Sequence, residues 1–317
     1  MDHTRASPCS LQPAPSVTLS RPKHLGRLFR RAALAAAVPT LALLAACGGE
    51  RDDGPRPHTS LVAAGDIASC WWRSDEATAR LLDRIGGVVA SLGDNVYQSG
   101  SAAQFAKCYG PTWGRHKART RPAIGNHEYR TEDGKPYYDY FGAAAGPPGK
   151  GWYSYELEGW HVVVLNTETD VGPESEQLRW LREDLRTHPT RCTLAYMHRP
   201  RFSSGKHGNS ERVKDLFRAL YDGGVEVVLS GHDHTYERFA PQDPDGRADP
   251  DRGVRQFVVG TGGAPFYAVR DTLRPNSEAH QNRVHGVLRL VFHHDGYDWE
   301  FVGTGEGFSD KGHGECH

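Results

Sequence analysis

Residues Gly231 to His234 read Gly-His-Asp-His, directly after the apolar run Val225–Ser230. Two histidines one residue apart, displayed where a hydrophobic strand stops, suit a metal better than a polar cap, provided the chain supplies further ligands. Four other apolar runs end in the same way: SLVAAGD at Asp66, GGVVASLGDN at Asp94 and Asn95, RPAIGNHE at Asn126, His127 and Glu128, and CTLAYMH at His198. Each of these residues taken singly reads as an ordinary turn or loop residue. Together they put carboxylates, imidazoles and an amide at five strand ends, none of which carries a lysine. Gathering such groups without a counter-cation costs several kcal/mol of desolvation each, a cost that metal ions remove.

The donor set is oxygen-rich with imidazoles and no thiolate, which suits Fe(III), Mn(II) or Zn(II). It is too large for one tetrahedral centre. Two metals sharing a bridging carboxylate fit better, because a pair ~3.5–4 Å apart clamps a phosphoryl group.

The elements that must position these residues are short strands bounded by glycine, with helices between them. Ser74 to Ile85 reads as a helix with Ser74 as its cap and acidic residues in the first turn. PESEQLRWLREDL opens on Pro173, suited to a first helical position. SERVKDLFRAL has Ser210 as cap, an apolar stripe of Val213, Leu216, Phe217 and Leu220, and a stop at Gly223-Gly224. GVLRLVFHHDGYDWEFVG carries the Asp295-Gly296 signature of a hairpin. Parallel and antiparallel strands together predict an α/β fold with mixed sheets, and in open α/β sheets sites collect beyond the carboxyl ends of the strands.

The chain has 317 residues, 36 glycines and 20 prolines, a loop-rich globular composition. Its formal charge of −1 divides into +5 over residues 1–46 and −6 over the remainder. An acidic body argues against nucleic acid held by general electrostatics and is compatible with cation binding. Of the 17 histidines, His293, His294, His313 and His317 read as solvated residues of a hairpin and a polar tail.

Residues 21–31 are basic and residues 32–46 are small and apolar, the pattern of a secretory signal too short for a comfortable span. Leu44-Ala45-Ala46-Cys47 resembles a bacterial lipobox, which implies cleavage before Cys47 and a lipid anchor on its thiol. Arg30-Arg31 leaves twin-arginine export open beside the general route. The assignment is therefore 1–46 signal peptide, 47–58 flexible tether, 59–308 folded domain and 309–317 polar tail, in an exported protein anchored at the cell surface or in the periplasm. Export leaves Cys70, Cys108, Cys192 and Cys316, an even number in an oxidising compartment. Of three possible pairings, Cys70–Cys108 with Cys192–Cys316 is favoured.

Asp66, the run GDNVY from Gly93 to Tyr97, GNHE at Asn126 to Glu128, YMH at His198 and GHDH at His232 to His234 resemble, in order and spacing, the calcineurin-like metallophosphoesterases. Tyr97 and GHDHTYER resemble the purple acid phosphatase branch. The resemblance covers residues 60–305 and implies a four-layer sandwich of two mixed sheets flanked by helices. It implies that Asp94 bridges two ions, that Asp66, Tyr97 and His234 complete one site, and that Asn126, His198 and His232 complete the other. Asp233 then serves only as a spacer. Fe(III) is implied at Tyr97, because a phenol titrating near ~10 needs a strong Lewis acid, with Fe, Zn or Mn beside it.

One departure is Asp66-Ile67-Ala68, where this branch commonly has Asp-x-Gly. The implied reaction is hydrolysis of phosphomonoesters by a metal-bound hydroxide. On the same resemblance His127 would contact phosphate or protonate the leaving oxygen, Glu128 would orient it, and His207 would be a second substrate-side histidine. Tyr236 and Glu237 support the ligands, and Arg199, Arg201 and Lys206 could attract anions. A phosphodiesterase or nucleotidase with the same centre is the alternative, with the aromatics of Gly262 to Tyr267 as a base-stacking surface. A non-catalytic phosphate- or metal-binding lipoprotein is the third reading.

Overall fold

Alternation along three short strands decides the layering. In β5 (Trp160–Leu165), β6 (Thr193–Met197) and β7 (Val227–Ser230), Val162, Val164, Leu194, Tyr196, Val227 and Leu229 share one core, while Val163, Leu165, Ala195, Met197 and Val228 belong to another. Successive side chains point to opposite faces, so this sheet is buried on both sides. The second core is closed by Leu178 and Leu181 of helix α4 (Glu176–Thr187) and by Leu216, Phe217 and Leu220 of α5 (Lys214–Asp222). The first core is shared with the other sheet through Leu61 and Ala63 of β1 (Ser60–Ala64), Val89 of β2 (Val88–Leu92) and Ala123 of β3 (Thr120–Ala123). Ala79, Leu81 and Leu82 of α1 (Ser74–Arg84) join it.

This computed structural model describes residues 60–268 and 272–317. The signal, lipid-anchor and tether assignments over 1–58 lie outside the described residues. The remaining elements are the one-turn α2 (Ala102–Gln104), α3 (Lys135–Phe141), β4 (Tyr153–Leu157), β8 (Tyr236–Phe239), β9 (Arg255–Val259), β10 (Ser277–Gln281), β11 (Gly286–Phe292), β12 (Gly296–Gly303) and β13 (Lys311–Glu315). One sheet has six strands in the order β13-β12-β11-β1-β2-β3, the other seven in the order β10-β8-β9-β7-β6-β5-β4. Both are mixed: β1, β2 and β3 run parallel while β11 to β13 are antiparallel, and β5, β6, β7 and β9 run parallel between antiparallel neighbours. The expected α/β architecture of two mixed sheets flanked by helices is what the chain adopts. Pro122 within β3 is tolerated because β3 is an edge strand.

Several local expectations change. Ser74 is the first residue of α1 rather than its cap; Arg73 occupies the cap position and no side-chain bond closes that end. Pro173 precedes α4, whose cap is Ser175, with Leu178 N–H donating to its hydroxyl at 3.2 Å. Ser210 leads into a 3-10 turn, Glu211–Val213, before α5 begins. Residues 309–317 are not a loose tail. Lys311–Glu315 pairs antiparallel with β12, and Asp310 accepts from Tyr236 Oη and Arg238. Gly312 and Gly314 hid this strand, because glycine lowers strand propensity. The histidines read as solvated are also engaged: His293 and His313 both bond Asp298, and His317 bonds Glu226, while His294 is exposed.

The disulfides are Cys70–Cys108 and Cys192–Cys316, the favoured pairing. The second joins the start of β6 to the residue after β13 across 124 positions. In the chain-entropy model such a loop contributes about 5 kcal/mol, against about 4 for the shorter one. Cys192→Ala/Cys316→Ala should therefore lose more stability in urea unfolding than Cys70→Ala/Cys108→Ala.

At the start of β5, the buried His161 binds Glu156 through Nδ1 at 2.7 Å and Asp184 through Nε2 at 2.8 Å. Burial alone would lower its pKa, but the bonds to Asp184 and Glu156 outweigh it and hold the pKa above the usual histidine value of 6.5. A base raised in the native state contributes stability that is complete below its unfolded pKa and is lost as pH rises through the native one. Asp184→Asn should therefore cost more at pH 6 than at pH 9, read from urea midpoints at both.

Candidate metal centre

Five strands deliver the candidate ligands, three from one sheet and two from the other. Asp66 follows β1, Asp94 and Tyr97 follow β2, Asn126 and His127 follow β3, His198 follows β6, and His232 and His234 follow β7. All eight side chains meet where the carboxyl ends of the two sheets face each other. The loop after β1 is zipped onto the loop after β2: Asp66, Ile67 and Ala68 N–H donate to Gly93, Asp94 and Asn95 carbonyls at 3.0–3.1 Å, and Tyr97 N–H donates back to Ala68 at 2.8 Å. Ala68 in place of glycine therefore leaves a regular bridge with Val96.

Each carboxylate divides its two oxygens. Asp66 Oδ2 accepts His232 N–H and Asp94 Oδ1 accepts His127 N–H, both at 2.8 Å. Asp66 Oδ1 and Asp94 Oδ2 are left facing inward. The first lies 2.9 Å from Tyr97 Oη and 3.4 Å from His234 Nε2, and Tyr97 Oη is 3.1 Å from that same nitrogen. Asp94 Oδ2 is 3.3 Å from Tyr97 Oη and 3.3 Å from His198 Nε2. His198 Nε2 in turn is 3.2 Å from Asn126 Oδ1 and 3.2 Å from His232 Nδ1. Two donor groups thus share one atom, Asp94 Oδ2.

This set fits two metal ions. Ligands at ~2.0–2.2 Å from a common ion lie ~3 Å from one another, which is the spacing found. The ring nitrogens facing away are occupied: His198 Nδ1 meets Leu92 O at 2.9 Å and His234 Nδ1 meets Pro265 O at 2.7 Å. Such a partner leaves the inward Nε2 as a lone pair. Burial, reinforced by Asp66 and Asp94, raises the Tyr97 phenol well above its ordinary pKa, so a phenolate here requires a strong Lewis acid.

The local backbone is shaped for close approach. Asp66, Asp94 and His232 have φ of 60°, 46° and 70°, a left-handed conformation that non-glycine residues adopt at a cost, commonly at functional sites. A Cβ on Gly125 would lie 2.2 Å from Asp94 N, and one on Gly231 would lie 2.6 Å from Asp66 Oδ2. Glycine before these ligands is a packing requirement.

His127 stands at the edge of the centre, its Nε2 3.8 Å from Asp94 Oδ2. Gln98 O, 2.7 Å from Nδ1, orients it. Glu128, expected to orient it, does not: its oxygens accept Val96 N–H at 3.2 Å and Gly125 N–H at 2.8 Å. The buried Glu128 ties the loop after β2 to the loop after β3. His207 stacks on His232 with ring centroids 4.2 Å apart.

Asp233 is more than a spacer. It is fully buried, and its carboxylate accepts Ser203 Oγ at 2.5 Å, His207 N–H at 2.9 Å and Gly208 N–H at 3.3 Å. It holds the loop that presents His207. Glu237 secures the same loop through Ser204 N–H and Oγ at 2.8 and 2.6 Å, whereas Tyr236 points to Asp310, away from the ligands. Arg201 is committed to Glu211 and to backbone carbonyls.

Arg199 forms a two-pronged bond to Glu168 at 2.8 and 3.0 Å and touches His232 Nε2 at 2.9 Å. Glu168 carries the same signal as the other candidates, an apolar run, WHVVVLNTE, that ends in polar residues. Phe266 stacks on His285, and Tyr267 is sandwiched between His234, at 3.9 Å, and the Lys206 ammonium, at 4.7 Å. Tyr267 is thereby packed against protein groups, and His285 covers one face of Phe266.

A family model described as calcineurin-like phosphoesterase matches residues 59–236. The chain belongs to this family. Purple acid phosphatase 21 of Arabidopsis thaliana is 29% identical over 281 residues, 78% of this chain and 62% of that protein. The Fe(3+)-Zn(2+) purple acid phosphatase 12 of the same plant is 27% identical over 217 residues, 56% of this chain and 46% of its own length. The chain thus spans about three fifths or less of the length of these relatives. A purple acid phosphatase from yellow lupin seeds superposes with a TM-score of 0.66 at 19% identity, covering 80% of this chain and 53% of that one. GAP50, an anchor in the inner membrane complex of Plasmodium, does so with 0.60 at 15% identity, covering 81% and 89%. At these identities the superpositions speak for fold alone.

Asp233→Ala would leave one hydroxyl and two N–H groups without their acceptor, at about 1–3 kcal/mol for each buried group left unpaired. The expected outcome is a lower urea midpoint and faster amide exchange at His207 and Gly208, measured by urea unfolding and hydrogen exchange on one sample.

Proposed function

We propose that this protein is an exported, binuclear metal-dependent phosphatase of the purple acid phosphatase type, hydrolysing small phosphomonoesters. The observation that carries the reading is the pair of donor groups sharing Asp94 Oδ2, with His127 and His207 at their rim. Asp66, Asp94, Tyr97 and His234 would hold one ion, and Asp94, Asn126, His198 and His232 the other. Fe(III) suits the Tyr97 position and Fe, Zn or Mn the second. Two ions so held supply Lewis acidity to the phosphoryl oxygens and acidify water.

The side chains supply the rest. His127, with Nδ1 committed to Gln98 O, presents Nε2 to the substrate and passes a proton to the leaving oxygen. Burial holds its pKa below the ordinary histidine value, so the imidazolium that can donate from Nε2 is favoured by acidic pH. His207 lies across from His232 and meets the ester from the other side. Glu128 acts by holding the loops rather than by touching substrate. The packing of His234 and Lys206 on Tyr267 gives base stacking on that ring no support.

Export rests on residues 21–47 and on the two disulfides, which persist in oxidising compartments. A lipid on Cys47 would tether the domain to a membrane, and among the described residues no helix is long and apolar enough to cross one.

The test is metal analysis, visible absorption and p-nitrophenyl phosphate hydrolysis on the purified protein. We expect two ions per chain, a broad visible band lost in Tyr97→Phe, and turnover abolished by a chelator. His127→Ala should keep its metal and lose roughly 10²- to 10⁴-fold in kcat. A colourless protein holding two zinc or manganese ions would remove the Fe(III)–phenolate assignment alone. A reconstituted protein with no bound metal, or with metal and no turnover on any phosphate ester, would overturn the enzymatic reading.

A further inference from the structure

We propose that the C-terminal β-meander carries a second cation site, built from His293, Asp298 and His313 and suited to a borderline divalent ion such as Zn(II), Cu(II) or Ni(II). Its three residues come from three places: the turn after β11, the strand β12 and the edge strand β13. They gather at the Asp295-Gly296 end of β12, beside the start of β1, where Ser60 faces Val291, whereas Asp66 follows the other end of β1.

The geometry is convergent. Asp298 faces His313 directly across the β12–β13 ladder. One carboxylate oxygen takes His313 Nδ1 at 2.8 Å and the other takes His293 Nε2 at 2.9 Å. One ligand atom from each residue lies within 4.8 Å of the others. Each nitrogen meets a different carboxylate oxygen, so a turn of the carboxylate and a closure of the two rings would bring both nitrogens and an oxygen onto one ion with bonds of ~2.0–2.1 Å.

The backbone beneath the site is fixed. His293 N–H donates to Gly296 O at 2.8 Å, and His293 O accepts Trp160 Nε1 at 2.9 Å. A Cβ on Gly296 would lie 2.5 Å from Gly314 O, so the turn and β13 are in contact. The side chains retain access to solvent, with His293 31%, Asp298 53% and His313 54% exposed. Water can therefore complete the coordination. Two imidazoles and one carboxylate select borderline ions, whereas Ca(II) and Mg(II) take shells of oxygen.

A second cluster of the same composition, His161, Asp184 and His188, does not share this geometry. There the two rings are parallel within 9° and stacked at 4.8 Å, so their in-plane lone pairs run side by side. In addition, both nitrogens of His161 are held by carboxylates. Around Asp298 the rings are inclined at 38° with centroids 6.2 Å apart, on either side of the carboxylate.

The consequence is mechanical. β13, with glycine at 312 and 314, is a weak strand at a sheet edge. Cys316 secures one end by its disulfide and Asp310 the other by Tyr236 and Arg238. An ion at His313 would secure the middle, clipping β13 to β12 and the turn.

The test uses the whole protein with its dinuclear centre loaded. Wild type, His313→Ala and His293→Gln are dialysed against ZnCl2, and bound metal is counted. We expect wild type to hold one ion more per chain than either variant. Zinc at about 100 times its Kd should raise the wild-type Tm by roughly 5 °C and leave the variants unmoved. Cu(II) bound to wild type should show nitrogen hyperfine splitting from two imidazoles by electron paramagnetic resonance. Equal metal counts in all three proteins would overturn the site, as would an extra ion that persists in both variants. Because the count is a difference, it holds whether or not the dinuclear reading stands. Unchanged far-ultraviolet circular dichroism in His293→Gln, a substitution in the turn, guards against misfolding of His313→Ala.

Discussion

Two aspartates that each split their oxygens between backbone and centre are the constraint on which this structure turns. Asp66 gives one oxygen to His232 N–H, and Asp94 gives one to His127 N–H. Each bond joins the loop after one strand to the loop after another, so the acid residues brace the site that they serve. A carboxylate held in this way loses the freedom to rotate, and its second oxygen points where the fold aims it. Preorganisation of this kind allows donors that repel or desolvate one another to stay together until a cation compensates them.

The two-sheet architecture follows the same need. One sheet alone would bring a row of strand ends, spaced by the ladder distance of ~4.8 Å, along a single edge. Two sheets facing each other let Asp66, Asp94 and Asn126 from one meet His198, His232 and His234 from the other. The shared core of Val162, Val164, Leu194, Tyr196, Leu61 and Val89 sets the separation of the two ligand rows. Packing this dense resists small displacements, so the core acts as a spacer for the donors.

Around this frame lies a layer of buried charge that holds loops. Asp233, Glu237 and Glu128 each accept backbone N–H groups, and none of them faces the centre. They explain why acidic residues cluster more densely here than the ligand set requires. Glu168 and Arg199 add a charge pair whose guanidinium reaches His232.

The ligand candidates and the α/β class were legible in the sequence because their signals are local. A short continuous apolar run ending at Gly-Asp or Gly-His announces a buried strand and its cargo within ten residues. The roles of Asp233 and Glu128 were not legible, because a carboxylate's partner is chosen by tertiary contact: Asp233 answers a loop 25 to 30 positions earlier. The strand Lys311–Glu315 was hidden for a related reason. Its pattern is too glycine-rich to call for a strand by itself, and it is one only because β12 offers an edge and Cys316 is tethered to Cys192. Sequence alone determined which chemistry the chain could assemble, through residue types and strand punctuation. Only the tertiary structure decided which oxygen of each aspartate faces inward, which charges serve the centre and which serve the loops. Those choices depend on distances between segments far apart in the chain, and local propensity carries no information about them.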